Sequence, residues 1–105
     1  MNIDGSTQPG FSGTPLISIG GISMFNINGV STGTLNSLGF VSNTSSTAIN
    51  VNNSSNWLFI NNNATGMGTS FQLQGNNTTN TITANNFSGS VSGINMNGGT
   101  NNGNV

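Results

Sequence analysis

Asn56-Trp57-Leu58-Phe59-Ile60-Asn61 contains the sole run of four bulky apolar side chains in this chain, with asparagine on both sides. Four residues are too few for a helix, and the aromatic and β-branched content favours a strand. In a strand, Trp57 and Phe59 point to one face and Leu58 and Ile60 to the other, so both faces call for burial. The remainder is dominated by Asn, Gly, Ser and Thr, which gives such a strand few intrachain partners and predicts a protein that works assembled.

Similar segments lie on either side. Ala48-Ile49-Asn50-Val51, Ser70-Phe71-Gln72-Leu73-Gln74 and Thr81-Ile82-Thr83-Ala84 place apolar residues at 49 and 51, 71 and 73, and 82 and 84, the two-residue period of a strand with one buried face. Asn52 to Ser55, Asn61 to Gly66 and Gly75 to Asn80 separate them with turn chemistry. Strand starts recur at roughly 9 to 13 residues without a strict repeat, a spacing that sandwiches, barrels and solenoids share. Upstream, Leu16-Ile17-Ser18-Ile19 and the run Ile22 to Ile27, which includes Met24, flank Gly20-Gly21. A Gly-Gly loop there, and Asn28-Gly29 after it, suit two-residue hairpin turns. Residues 33 to 41 read as a strand or a single helical turn. Helix formers with sustained three-to-four spacing are missing.

The expected fold is therefore all-β, with short antiparallel strands in a sandwich, barrel or fibre-like structure. Residues 1–15, with both prolines and Phe11, read as an extended arm, either a frayed terminus or an arm that docks on a neighbouring subunit through Phe11. Residues 16–99 form the β-rich domain, and 100–105 a flexible tail. The expected core and assembly residues are Phe11, Ile17, Ile19, Met24, Ile49, Val51, Trp57, Leu58, Phe59, Ile60, Phe71, Leu73, Ile82 and Phe87.

Composition removes whole classes of function. The 105 residues include no Lys, Arg, His, Cys or Tyr, and Asp4 is the sole acidic residue. Nucleic-acid binding needs cations to neutralise phosphates, so no nucleic-acid partner is expected. A membrane partner is not expected either, without a basic face or an apolar run of about 18 residues. The N-terminus lacks the basic and apolar regions of a secretory signal. General acid–base chemistry would rest on Asp4 alone, and Ser and Thr hydroxyls have no base beside them, so no enzyme is expected. Zinc lacks ligands and calcium would find one carboxylate, so no metal or cofactor is expected, a ring of Asp4 side chains around an oligomer axis aside.

Other signals have plain alternatives. Sequons at Asn43, Asn53, Asn63, Asn77 and Asn86 fit chance in an Asn- and Thr-rich chain. Thr81 and Thr83 do not recur as an ice-binding array would, and Trp57, amid Leu58, Phe59 and Ile60, reads as core in preference to a sugar-stacking platform.

The phrase Thr81-Ile82-Thr83-Ala84-Asn85-Asn86-Phe87-Ser88-Gly89-Ser90-Val91-Ser92-Gly93 resembles one found in the tail and head fibres of tailed bacteriophages. It covers about an eighth of the chain. The resemblance implies β-rich, usually trimeric shafts filled by alternating apolar residues, and a place in the virion. Small capsid decoration proteins share the character, and no receptor-binding or catalytic residue is carried over. The partners it implies are copies of the chain in a homo-oligomer, a trimer above all, and a major capsid or tail protein. Beyond Pro15 the strand edges lack guarding Lys, Pro or inward charge. Asn side chains stacked in register would also suit a secreted, extracellular cross-β filament, the alternative reading. The hairpin-type turns favour the closed particle.

Overall fold

The computed structural model describes residues 1–103. The strands are β1 (Asn2–Asp4), β2 (Ile17–Ile19), β3 (Ser23–Asn28), β4 (Ser31–Asn36), β5 (Leu38–Phe40), β6 (Thr47–Asn52), β7 (Ser55–Ile60), β8 (Thr69–Gln74), β9 (Asn77–Thr78), β10 (Thr81–Thr83), β11 (Ser92–Asn97) and β12 (Asn101–Asn102). A single 3-10 turn, Gly5–Thr7, is the helical element among the described residues.

The chain is all-β, but every strand pairing among the described residues is parallel, which corrects the antiparallel expectation. Consecutive strands do not pair; each pairs with its counterpart one coil away. The register steps from Ser23 to Thr47 to Thr69 to Ser92, so successive coils are similar but not equal in length. The result is a solenoid with three faces. The first stacks β3, β6, β8 and β11. The second carries β4 on β7, with β1 beneath β4, β9 and β10 above β7, and β12 above β9. The third pairs β2 with β5 and continues through single bridges from Gly39 to Asn63 to Asn86.

The dihedral angles explain why the supposed hairpins are corners. A type I′ turn needs two consecutive residues at positive φ. At Asn28-Gly29 only Gly29 is left-handed (φ 67°), and at Gly20-Gly21 only Gly21 (φ 139°), so the chain bends onto the next face instead of reversing. The same corner is left-handed in every coil, at Gly29, Asn53, Gly75 and Gly98. A bend within the second face recurs at Thr32, Asn56 and Thr79, and the corner to the third face at Ser37, Asn61 and Ala84. Ala84, expected to end an alternating strand, is instead an exposed corner residue.

Parallel register stacks like on like. The inner columns are Phe25, Ile49, Phe71, Ile94 and Ile27, Val51, Leu73, Met96; the intervening residues form outward amide columns, Asn26, Asn50, Gln72, Asn95 and Asn28, Asn52, Gln74, Asn97. On the second face Leu35, Phe59 and Ile82 align above Ile3. Rings connect the layers: Phe59 stacks on Trp57 at 5.7 Å and meets Phe71 edge-on at 4.8 Å, and Phe71 lies 6.1 Å from Phe87. One chain thus closes its own core, and the interior does not have to be shared with neighbouring subunits.

Segment boundaries shift accordingly. The expected arm begins as solenoid, since β1 pairs with β4. The expected flexible tail is partly structured, because Asn101 and Asn102 pair with Asn77 and Thr78. Residues 104 and 105 of that tail lie outside the described residues. Residues 33 to 41 resolve as β4 and β5, with no helical turn.

Candidate assembly surfaces and the ladders that shape them

Left-handed corners leave backbone groups that the strand ladder cannot pair, and buried or half-buried asparagines take them up. Asn62 Oδ1 accepts from Leu38 N (3.0 Å) and its Nδ2 donates to Leu35 O (2.9 Å). One coil on, Asn85 Oδ1 accepts from Asn62 N (2.8 Å) and its Nδ2 donates to Phe59 O (2.9 Å). Asn80 does the same at the other bend, accepting from Trp57 N (3.0 Å) and donating to Ser54 O (3.2 Å). In all three cases the amide bridges an N–H that follows a left-handed residue and the carbonyl three residues before it. Only a side chain carrying donor and acceptor on one planar group satisfies both at once. Asn62 and Asn85 are joined by a further bond of 3.0 Å.

Trp57 is buried, at 2 % exposure, so it offers no open platform for a sugar. Its Nε1 donates to Val30 O at 2.9 Å. The indole lies over Gly33 of the preceding coil, where a Cβ would come within 2.5–2.6 Å of the ring. Gly33 is therefore glycine for space, not for backbone freedom.

Ile49, Val51, Phe59, Phe71 and Leu73 are buried with Trp57, while Ile17, Ile19, Met24, Ile82 and Phe87 pack half-buried against that core. Leu58 and Ile60 face outward and stay half-exposed, so the expectation that both faces of this strand are buried holds for one face only. Phe11 is half-buried on its own chain. With Ser6, Thr14 and Pro15 it forms one wall of a groove of about 510 Å³, whose other wall is the corner at Ser37, Asn61–Asn63, Ala84 and Asn86.

Asp4, the sole carboxylate, closes the 3-10 turn. Its Oδ1 accepts from Ser6 Oγ (2.6 Å), Ser6 N (2.9 Å) and Asn36 Nδ2 (3.0 Å). These bonds, the Ser6 hydroxyl first, hold its acid below the ordinary carboxylate range. All three bonds fall on Oδ1, and no group of three or more metal-ligating acidic, His or Cys side chains exists among the described residues. Of the sequon asparagines, Asn77 is fully buried, with Oδ1 accepting from Ser54 N, which is incompatible with a glycan on the folded chain.

The ends of the solenoid differ from its sides. Phe71 and Leu73 are 0 and 1 % exposed, yet Ile94 and Met96, one layer on in the same columns, are 54 and 62 % exposed. β11 is the outer strand of the first face at one end and β3 at the other, so each keeps one unpaired edge. Neither strand contains a charged residue or proline.

No family model, curated protein or solved structure matches this chain.

The sequence reading missed Gly33, Asn62, Asn77, Asn80 and Asn85, taking Asn62, Asn77 and Asn80 as turn chemistry and Asn85 as part of the fibre-like phrase. One signal was available. Asn62-Asn63-Ala64-Thr65-Gly66 and Asn85-Asn86-Phe87-Ser88-Gly89 share a pattern one coil apart, matching the register from Asn63 to Asn86.

Proposed function

We propose that this chain is a non-catalytic structural protein, a β-solenoid unit of a virion fibre, that works assembled through the strand edges at its ends. The observation that carries the reading is the pair of unpaired edges, β3 and β11, neither holding a charge or a proline, with Ile94 and Met96 of β11 exposed at the end of otherwise buried columns. Edges of this kind are templates for further pairing unless charge, proline or a covering element blocks them. The phage-fibre resemblance of residues 81–93 supports the virion setting, with further copies and a capsid or tail protein as partners; a capsid decoration protein is the compact form of the same role.

The secreted filament gains support from the in-register amide columns on the first face, the arrangement that stabilises stacked parallel chains. The preference for a closed particle rested on hairpins that are corners, so it no longer separates the two. Nor does a spacing of about 4.8 Å, which the solenoid itself would give.

Light scattering of the purified chain from nanomolar to high micromolar concentration tests assembly: growth of mass with concentration is expected, and a monomer across the range would overturn the proposal. Immunogold labelling of source material tests the setting. Label on particle heads or tails supports the virion role, and label on cell-associated filaments replaces it with the secreted one.

A further inference from the structure

The two ends of the solenoid are steps of opposite sense. At the end bearing β1 and β2, the later half of the second face and the third face reach one layer beyond β4 and β5, while the first face stops at β3. At the other end β11 and β12 carry the first face and the early half of the second face one layer past the coil that supplies β10 and Asn86. The layer count is the same on every side. The first face has four layers at β3, β6, β8 and β11. The early second face has four at β4, β7, β9 and β12; the later second face has four at Asn2–Asp4, Thr34–Asn36, Leu58–Ile60 and Thr81–Thr83. The third face has four at Ser18, Gly39, Asn63 and Asn86. A step that rises on two sides at one end and falls on those two sides at the other fits onto itself.

We infer that a second copy of this chain seats head to tail on the β11 end, its β3 pairing with β11, its β1 with β10, and its Ser18 stacking over Asn86. The inference rests on the assembly reading above and specifies its junction. The apolar and amide columns of the first face, and the apolar column of Ile82, continue in kind across that junction. Ile94 aligns with the incoming Phe25, half-buried on its own chain, and Met96 with Ile27, already only 4 % exposed, so the burial gained falls on Ile94 and Met96, left 54 and 62 % exposed. Ile82 meets Ile3. Outside, Asn95 and Asn97 meet Asn26 and Asn28, extending both amide columns, and the left-handed Gly98 lies under the left-handed Gly29. No charge is buried at these columns, since Asp4 arrives over Thr83 at an outward position. The contact joins unlike surfaces, so it does not close on a dimer and repeats along the axis. Four layers at a spacing of about 4.8 Å give an axial rise of about 19 Å per copy.

Engineered cysteines read the register directly, because the natural chain has none. Asn26 and Asn95 are both exposed. Within one chain they lie three layers apart, about 14 Å, beyond disulfide reach; across the junction they are direct neighbours about 4.8 Å apart, within reach. The Asn26→Cys/Asn95→Cys variant, oxidised at assembling concentration, is expected to give a ladder of disulfide-linked multimers in a non-reducing gel. Asn28→Cys/Asn95→Cys, displaced by two residues and so about 8 Å apart, is expected to give none. Equal ladders from both variants would overturn the register. Assembly by light scattering with no ladder from either, a closed lateral trimer included, would overturn the head-to-tail junction while leaving the assembly reading intact. A monomer at every concentration would overturn both.

Discussion

Trp57 and Gly33 form one packing unit divided between two coils, so a change at either is felt by the other. A Cβ at Gly33 would sit 2.5–2.6 Å from rigid ring atoms, so Gly33→Ala should cost about 1–3 kcal/mol by overpacking. Trp57→Ala should cost about 3–5 kcal/mol. Combined with Gly33→Ala, however, it should cost clearly less than the sum, because the added methyl then enters the space the ring has left. Urea unfolding of the two single variants and the double variant measures this coupling. Strict additivity would mean that the two residues do not share the space. The sequence made Trp57 legible as core, since a bulky ring amid Leu58, Phe59 and Ile60 has few other uses. Gly33 was not legible, because its reason lies a full coil away, on a neighbour that only the register reveals. Asp4 is the one side chain that titrates. Its acid is held below its unfolded value, so its contribution is complete above the ordinary carboxylate range and is lost as pH falls through the lower folded value. The side-chain contribution to stability should therefore be constant above about pH 5 and decline only in acid. Asp4→Asn should remove that acid decline in a series of thermal melts.

At the scale of strands and corners, alternation placed the elements well but left their direction open. Thr47–Asn52, Ser55–Ile60, Thr69–Gln74 and Thr81–Thr83 lie where the two-residue period put them. That period is identical in parallel and antiparallel sheets, so the pairing had to be inferred from the turns. The turns misled because Asn-Gly and Gly-Gly suit a single left-handed residue as well as a hairpin's pair of them. The repeat was hidden because the coils from Ser23 to Thr47, Thr47 to Thr69 and Thr69 to Ser92 differ in length and slip out of phase with any fixed period. The corners give two predictions of opposite sign. Ala84 pays for a φ of 53° without a stabilising side-chain bond, so Ala84→Gly should raise stability by about 1 kcal/mol. Asn62→Ala orphans the buried Leu38 N–H and Leu35 carbonyl together and should cost about 3 kcal/mol. Denaturant midpoints at unchanged slope would register both. A neutral Asn62→Ala would mean that the corner groups find other partners, and the bridging role would fall.

For the whole molecule, stacked layers that contact only their neighbours make stability a sum over coils, so length should be adjustable in units of one coil. Thr69 to Val91 is the suitable unit, because its two ends stand in register: Thr69 and Ser92 are partners. Repeating it between Val91 and Ser92 would set each column on its own kind, Phe71 on Phe71, Leu73 on Leu73 and Ile82 on Ile82. The second Asn80 and Asn85 would bridge the first coil's backbone as the natural ones bridge the coil of Trp57. Trp57 to Ile60 would be the wrong segment to copy, because a second indole would need another glycine beneath it. The lengthened chain should fold, unfold at a higher urea concentration with a steeper slope, and grow by about 4.8 Å along its axis in small-angle scattering. Repeating only Thr69 to Thr79, about half a coil, should by contrast carry apolar residues to the wrong face and unfold the coils after it. If the half-coil insertion were tolerated as well as the full one, the columns would not be what holds the layers together, and the register proposed for the junction between copies would lose its physical basis.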